Sequence, residues 1–98
     1  MDYTAFNHTL DMGFPPEDFP LELKALWWER KNYWNEAHEI VQNLSGKDAA
    51  WVHAYLHRKE GDLSNASYWY RQGGKPIEKG DLVDEFRDIT KALLEKYM

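Results

Sequence analysis

The sequence predicts an all-α fold of two antiparallel helical hairpins, a C-terminal capping helix and an irregular N-terminal arm. Apolar residues recur at spacings of three and four, and no segment alternates with the period of two that marks a strand. Gly, Asn and Asp occur at the short intervals that suit turns between helices. The 98 residues are 43% hydrophobic, which is enough to build the core of a single domain, 1–98.

The arm is expected to cover residues 1–19 without regular structure. Gly13, Pro15 and Pro16 fall close together, and proline removes the backbone donor that a helix needs. The arm is nevertheless rich in aromatic residues, which a disordered tail would lack. We therefore expect it to lie across the helices and cover them.

The first hairpin is predicted to span residues 20–44. Asp18 is the expected N-cap of its first helix, over about 20–31, since a short carboxylate can accept from the free N–H groups of the first turn. Asn32 is expected to cap the second helix, over about 33–44, in the same way.

The second hairpin is predicted to span residues 46–74. Ser45 is expected to cap its first helix, which Gly61 ends in a left-handed turn. Asp62 is then the N-cap of the next helix. The first of these two helices is apolar on opposite faces, so we expect it at the centre of the core.

The capping helix is predicted over residues 81–97, with Asp81 as its N-cap. Its apolar residues recur at spacings of three and four and form one stripe that can lie on the two hairpins. The members of the stripe are Leu82, Phe86, Ile89, Leu93 and Tyr97.

The two hairpins share a pattern of small residues. Ala25 is followed twelve residues later by Ala37, and Ala54 is followed at the same spacing by Ala66. Small side chains let two helix axes approach closely. This spacing, the Gly-Asp turn and an aromatic residue four positions after the last alanine resemble the tetratricopeptide repeat and the related Sel-one-like repeats over residues 21–74.

Charge and composition exclude several classes of function. Twelve basic residues stand against 17 acidic ones, a net charge of −5, which argues against nucleic-acid binding. Without cysteine there is no thiolate metal site and no thiol nucleophile. No apolar run is long enough for a membrane span, and no signal peptide is recognisable, so we expect a cytoplasmic protein. Residues 50–62 also resemble a family of small uncharacterised bacterial proteins, which implies the same location.

A metal site is predicted from the histidines of the central helix. His53, His57 and Glu60 are spaced by four and three, so all three lie on one flank. Two imidazoles at this spacing can share a divalent metal ion, and a carboxylate one turn on can complete the set. If the hairpins pack as in tetratricopeptide arrays, His38 points to the same flank. The alternative is that these histidines only fill the core.

A peptide-binding face is implied by the resemblance to tetratricopeptide arrays, in which the first helix of each hairpin lines a concave surface. By that resemblance Arg30, Tyr55, Arg58 and Lys59 would line it, and the cations would bind a carboxylate of a protein partner. The alternative is that these cations are solvated and complement the helix dipole.

Two functions follow. The first is a non-enzymatic interaction or assembly module with a protein or peptide partner. The 15 aromatic residues would also suit a homodimer, although they could simply fill the core. The second is a small metal-binding or hydrolytic protein that uses the histidine flank. The sequence indicates no catalytic residue and no organic cofactor.

Overall fold

A computed structural model describes residues 1–98, and it contains only helices and loops. The all-α prediction is therefore confirmed. The helices are α1 (Tyr3–His8), α2 (Leu21–Arg30), α3 (Trp34–Gln42), α4 (Lys47–Glu60), α5 (Leu63–Gln72) and α6 (Leu82–Tyr97), and a 3-10 turn, Thr9–Asp11, follows α1. None of these helices has the length and apolar character needed to cross a lipid bilayer.

The N-terminal arm contains a helix, which corrects the prediction of an irregular arm for its first half. The Asp2 side chain accepts a hydrogen bond from the Ala5 N–H at 2.8 Å and caps α1. Phe6 on α1 is fully buried, stacked on Phe19 and in contact with Phe86 of α6. The expectation that the arm covers the helices is therefore confirmed. The prolines that suggested irregular structure act only on the second half of the arm.

Consecutive helices form the two expected hairpins, α2 with α3 and α4 with α5. Asn32 adopts a left-handed φ of +69° between α2 and α3, and Gly61 adopts a φ of +91° between α4 and α5. Asp62 and Asp81 accept from backbone N–H groups and cap α5 and α6, as predicted. The other three predicted caps, Asp18, Asn32 and Ser45, are wrong. The helices α2, α3 and α4 have their N-caps one or two residues later, and none of them has a side-chain cap.

The small residues of the two hairpins lie inside the molecule. Ala25, Ala37, Ala54 and Ala66 are all at most 2% exposed, as close helix crossings require. Gly73, which follows the last residue of α5, also lets two helices approach closely, because a Cβ there would lie 3.2 Å from backbone atoms of α4. Close contact between α4 and α5 brings their side chains into reach of each other.

Helix α4 is the central element, as its two apolar faces predict. It contacts α2, α3, α5 and α6, and most of its residues are buried. Helix α6 lies on α2 and α4 and contributes Phe86, Ile89, Leu93 and Leu94 to the main core. The remaining flank of α4, between α3 and α5, carries the histidines.

Candidate metal centre

Three histidines meet where α3, α4 and α5 pack together. His53 and His57 lie one turn apart on α4 and are 4% and 6% exposed, while His38 reaches them from α3 and is half-buried. One ring nitrogen of each residue lies within 4.8 Å of a ring nitrogen of the other two. The Nε2 atoms of His38 and His53 are 3.1 Å apart. Helix packing thus gathers three nitrogen donors at one point.

Helix α3 is held in place by Trp34, one turn before His38. The Trp34 indole N–H donates to the Leu56 carbonyl of α4 at 2.8 Å, which joins the two helices next to the histidines. The indole ring also stacks on the His38 ring, with centroids 4.9 Å apart and an interplanar angle of 9°. The i, i+4 spacing on α3 makes this stacking possible. Trp34 therefore fixes both the helix and the imidazole.

The other two imidazoles are fixed by different neighbours. His53 stacks on Trp69 of α5, with centroids 4.0 Å apart. His57 Nδ1 lies 2.6 Å from Glu60 Oε2, and since a carboxylate only accepts hydrogen bonds, Nδ1 is the donor. Nε2 of His57 is therefore the nitrogen left for the histidine cluster. A carboxylate behind a histidine is the usual way to orient a metal-binding imidazole.

Burial keeps two of the histidines in the form that binds metal. Loss of hydration, together with the neighbouring His57 and His38 rings, lowers the pKa of His53 from 6.5 to about 4. Burial and His57 also lower the pKa of His38, against smaller opposing effects of Glu60 and Glu39. At neutral pH both imidazoles are uncharged, and a neutral imidazole has one nitrogen with a free lone pair. The cluster is therefore ready to accept a cation without first losing protons from these two rings.

Comparisons of the chain with protein-family models, curated proteins and solved structures gave no match. The resemblance to tetratricopeptide repeats stays a prediction, as do the protein partner and the homodimer. Function must therefore be argued from the site itself.

The predicted metal-ligand set needs one correction. His38, His53 and His57 come together as expected, but Glu60 lies behind His57 and is grouped with Asp62 at the end of α4. A spacing of three on a helix places Glu60 beside His57 only, because His53 lies a further turn away. Sequence reasoning treated Asp62 only as a helix cap.

Both tryptophans of the site were also missed. Trp34 could have been found from its i, i+4 spacing to His38, since this spacing predicts side-chain contact on a helix. Trp69 could not, because its contact with His53 depends on how α5 crosses α4.

The residues predicted to line a peptide-binding face make internal contacts, and the face itself stays a prediction. Tyr55 is only 2% exposed, and Arg58 pairs with Glu85 of α6 at 2.6 Å. Lys59 pairs with the buried Glu29 of α2. The remaining predicted residue lies beside the same helix: the Arg30 guanidinium is 4.9 Å from the centre of the Phe86 ring. Arg58 and Lys59 therefore pair with carboxylates of neighbouring helices, while Arg30 and Lys59 keep exposed surface.

The low pKa of His53 predicts that the metal-free protein loses stability in mild acid. Below pH 6.5 the unfolded chain binds a proton at His53 that the folded chain excludes until about pH 4. Stability is therefore lost as pH falls from 6.5 towards 4, by roughly 3 kcal/mol. Urea unfolding at pH 7, 5.5 and 4.5 measures this loss.

His53→Gln should flatten the pH dependence between pH 6.5 and 4, because it removes the group that titrates. His8→Gln is the matched control, since His8 is exposed on the arm, and it should keep the wild-type slope. Equal slopes in all three proteins would contradict the assignment to His53.

Proposed function

We propose that this protein binds a transition-metal ion through His38, His53 and His57, with zinc as the reference ion. The observation that carries the proposal is the convergence of three ring nitrogens within 4.8 Å, from two helices that pack in the core. Imidazole nitrogen is a preferred ligand of zinc, copper, nickel and iron, whereas magnesium and calcium prefer oxygen. The donor set therefore favours the transition metals.

The spacing of the nitrogens supports the proposal. Two nitrogens bound to one tetrahedral zinc ion at roughly 2.0–2.1 Å lie roughly 3.3 Å apart. The Nε2 atoms of His38 and His53 are 3.1 Å apart, so these two nitrogens would need to separate by only a few tenths of an ångström. Without metal, the same two atoms share a hydrogen bond in which one ring donates and the other accepts. Binding would replace that hydrogen bond by two bonds to the metal, with the donor ring shifting its Nε2 proton to Nδ1 through solvent.

The surroundings favour metal binding over hydrolysis. None of the cavities at the surface is lined by His38, His53 or His57, which supports a role in holding an ion. Three protein ligands leave one position that a water molecule can take. An ion at this point would join α3 to α4 and stabilise the first hairpin against the second.

Zinc is expected to raise the stability of the wild-type protein. At a free concentration about one hundred times Kd, a single site adds about 2.7 kcal/mol to the free energy of unfolding. Cobalt should also quench part of the tryptophan fluorescence, because Trp34 and Trp69 stack directly on two of the ligands. Thermal unfolding and a fluorescence titration of protein purified without a histidine tag measure both effects.

His38→Gln is the decisive variant, because His38 is the least buried ligand and its loss leaves the core of α4 intact. It should abolish both the zinc-dependent rise in Tm and the quenching by cobalt. His8→Gln should behave as wild type. If His38→Gln responds to zinc as strongly as wild type does, or if wild type does not respond, the proposed function is wrong.

A further inference from the structure

We propose that the cavity between α4, α5 and α6 binds a small quaternary ammonium cation on the face of the Trp51 ring. The chain's own Lys75 ammonium group lies on that face in this structure, so the ligand would take its place. This site is separate from the three histidines, and the proposal does not depend on metal binding.

The cavity has the size of a small organic cation. Its volume is about 170 Å³, and a protein cavity of roughly 150 Å³ can hold a molecule with six carbon atoms. Helices α4 and α5 contribute one aromatic residue each to its wall, Trp51 and Tyr70. The rest of the wall comes from α6 and from the linker that joins α5 to α6, residues 73–81.

The Lys75 ammonium group shows what the Trp51 face accepts. Its Nζ lies 4.0 Å from the centre of the Trp51 ring, which is a cation–π contact. None of the ion pairs of the chain includes this ammonium group. The lysines whose ammonium groups donate hydrogen bonds are Lys31, Lys59 and Lys96. The ring therefore holds a cation that donates no hydrogen bond within the chain.

The apolar part of the wall suits N-methyl groups. Pro76 and the buried Ile89 line the cavity together with the two aromatic rings. The Tyr70 hydroxyl proton is already donated to Glu85. A primary ammonium group has three N–H donors to satisfy, whereas a quaternary one needs only apolar contact and nearby negative charge. The wall therefore favours the quaternary cation.

The cavity carries an excess of negative charge once Lys75 moves away. Glu85 is neutralised by its arginine partner. Glu78 also lines the cavity, is half-buried and belongs to no ion pair. Asp88 has only a 3.4 Å pair with Arg87 in which both side chains are exposed, and solvent screens such pairs. Two carboxylates therefore remain to attract a cation.

Lys75 can leave the ring without disturbing the fold. Its backbone N–H donates to the Tyr70 carbonyl at 2.9 Å, and Gly74 before it takes a left-handed φ of +68°. These features fix the main chain after α5, whereas the Lys75 side chain is exposed and can turn into solvent. A ligand therefore competes only with the cation–π contact.

A titration with choline tests the proposal. Nitrogen-15 NMR follows the Trp51 indole N–H, which is assigned by its absence in Trp51→Phe. Choline and its neutral isostere, 3,3-dimethylbutan-1-ol, are added separately at equal ionic strength. Choline should shift the Trp51 signal until the site is saturated, and the uncharged alcohol should not. No shift with choline, or equal shifts with both compounds, would overturn the proposal.

Lys75→Ala tests whether the ligand takes the place of the lysine. The Kd for choline should fall by about three- to sixfold, because a cation–π contact of about 0.5–1 kcal/mol no longer keeps the ring occupied. Lys79→Ala is the matched control, since it removes one positive charge from the same linker but no aromatic contact. Equal affinities in the two variants would show that Lys75 does not occupy the ligand's place.

Glu78→Gln tests the attraction by charge, since it keeps the size of the side chain. The Kd for choline should rise at least about twofold, because a carboxylate close to the cation is lost. Glu95→Gln makes the same change on α6 at a position that does not line the cavity, and it should bind choline as wild type does. Equal affinities in these two variants would contradict the recognition of a cation.

Discussion

Replacing Arg58 with methionine is expected to lower the free energy of unfolding by about 3–5 kcal/mol. The Arg58 guanidinium on α4 donates to Glu85 Oε1 of α6 at 2.6 Å, and the Glu85 side chain is only 4% exposed. Without the guanidinium, a buried carboxylate is left with no opposite charge, which is costly. Urea unfolding at pH 7 measures the effect.

The second partner of Glu85 cannot compensate for this loss. Tyr70 donates its hydroxyl proton to Glu85 Oε2, and burial and this hydrogen bond raise the pKa of Tyr70 above its usual value of 10. Tyr70 therefore stays neutral and supplies a donor without a charge. The double variant Arg58→Met/Glu85→Gln removes the stranded charge and should recover part of the stability.

Arg87→Met is the matched control for the arginine. Arg87 pairs with Asp84 at 3.2 Å, but both side chains are largely exposed, and such pairs contribute about 0–1 kcal/mol. Should Arg58→Met and Arg87→Met cost the same, the buried pair would not stabilise the packing of α6 on α4.

Replacing Phe6 with alanine is expected to lower the free energy of unfolding by about 3–5 kcal/mol. Phe6 has no exposed surface, and its ring centre lies 5.8 Å from that of Phe19 and 6.3 Å from that of Phe86. The change would leave a cavity between the arm and α6. Thermal unfolding measures it, with Tm expected to fall by about 4–8 °C per kcal/mol.

Phe14→Ala makes the same change elsewhere in the arm. Phe14 is 74% exposed and makes a T-shaped contact with Trp28, so a loss within about 0.5 kcal/mol is expected. A similar small loss for Phe6→Ala would mean that α1 is not part of the folded core.

The helices of the two hairpins could be predicted from local chemistry. Gly61 and Asp62 fix the turn between α4 and α5 through backbone conformation and a capping bond, so the sequence places that turn correctly. Asn32 misled the prediction, because it takes the left-handed conformation that ends α2 and so cannot serve as the N-cap of α3. Either role suits asparagine, and the choice depends on how the two helices pack.

The candidate site was predictable only where its residues are close in sequence. The spacing of His53 and His57 on one helix determines their proximity, whereas His38 was reached through an assumed packing of hairpins. The ion pair of Arg58 was missed for the same reason, since its partner Glu85 lies 27 residues away. No local pattern shows that α6 folds back over that face.

The central position of α4 also determines how the histidines can separate. Four helices surround it, so its middle amide protons should exchange with deuterium only when the whole chain unfolds. His38, in contrast, lies on α3, whose main contacts are with α2 and α4. Partial opening that parts His38 from the other two histidines would therefore be a detachment of α3, and its own amides would report the rate at which a bound ion can escape.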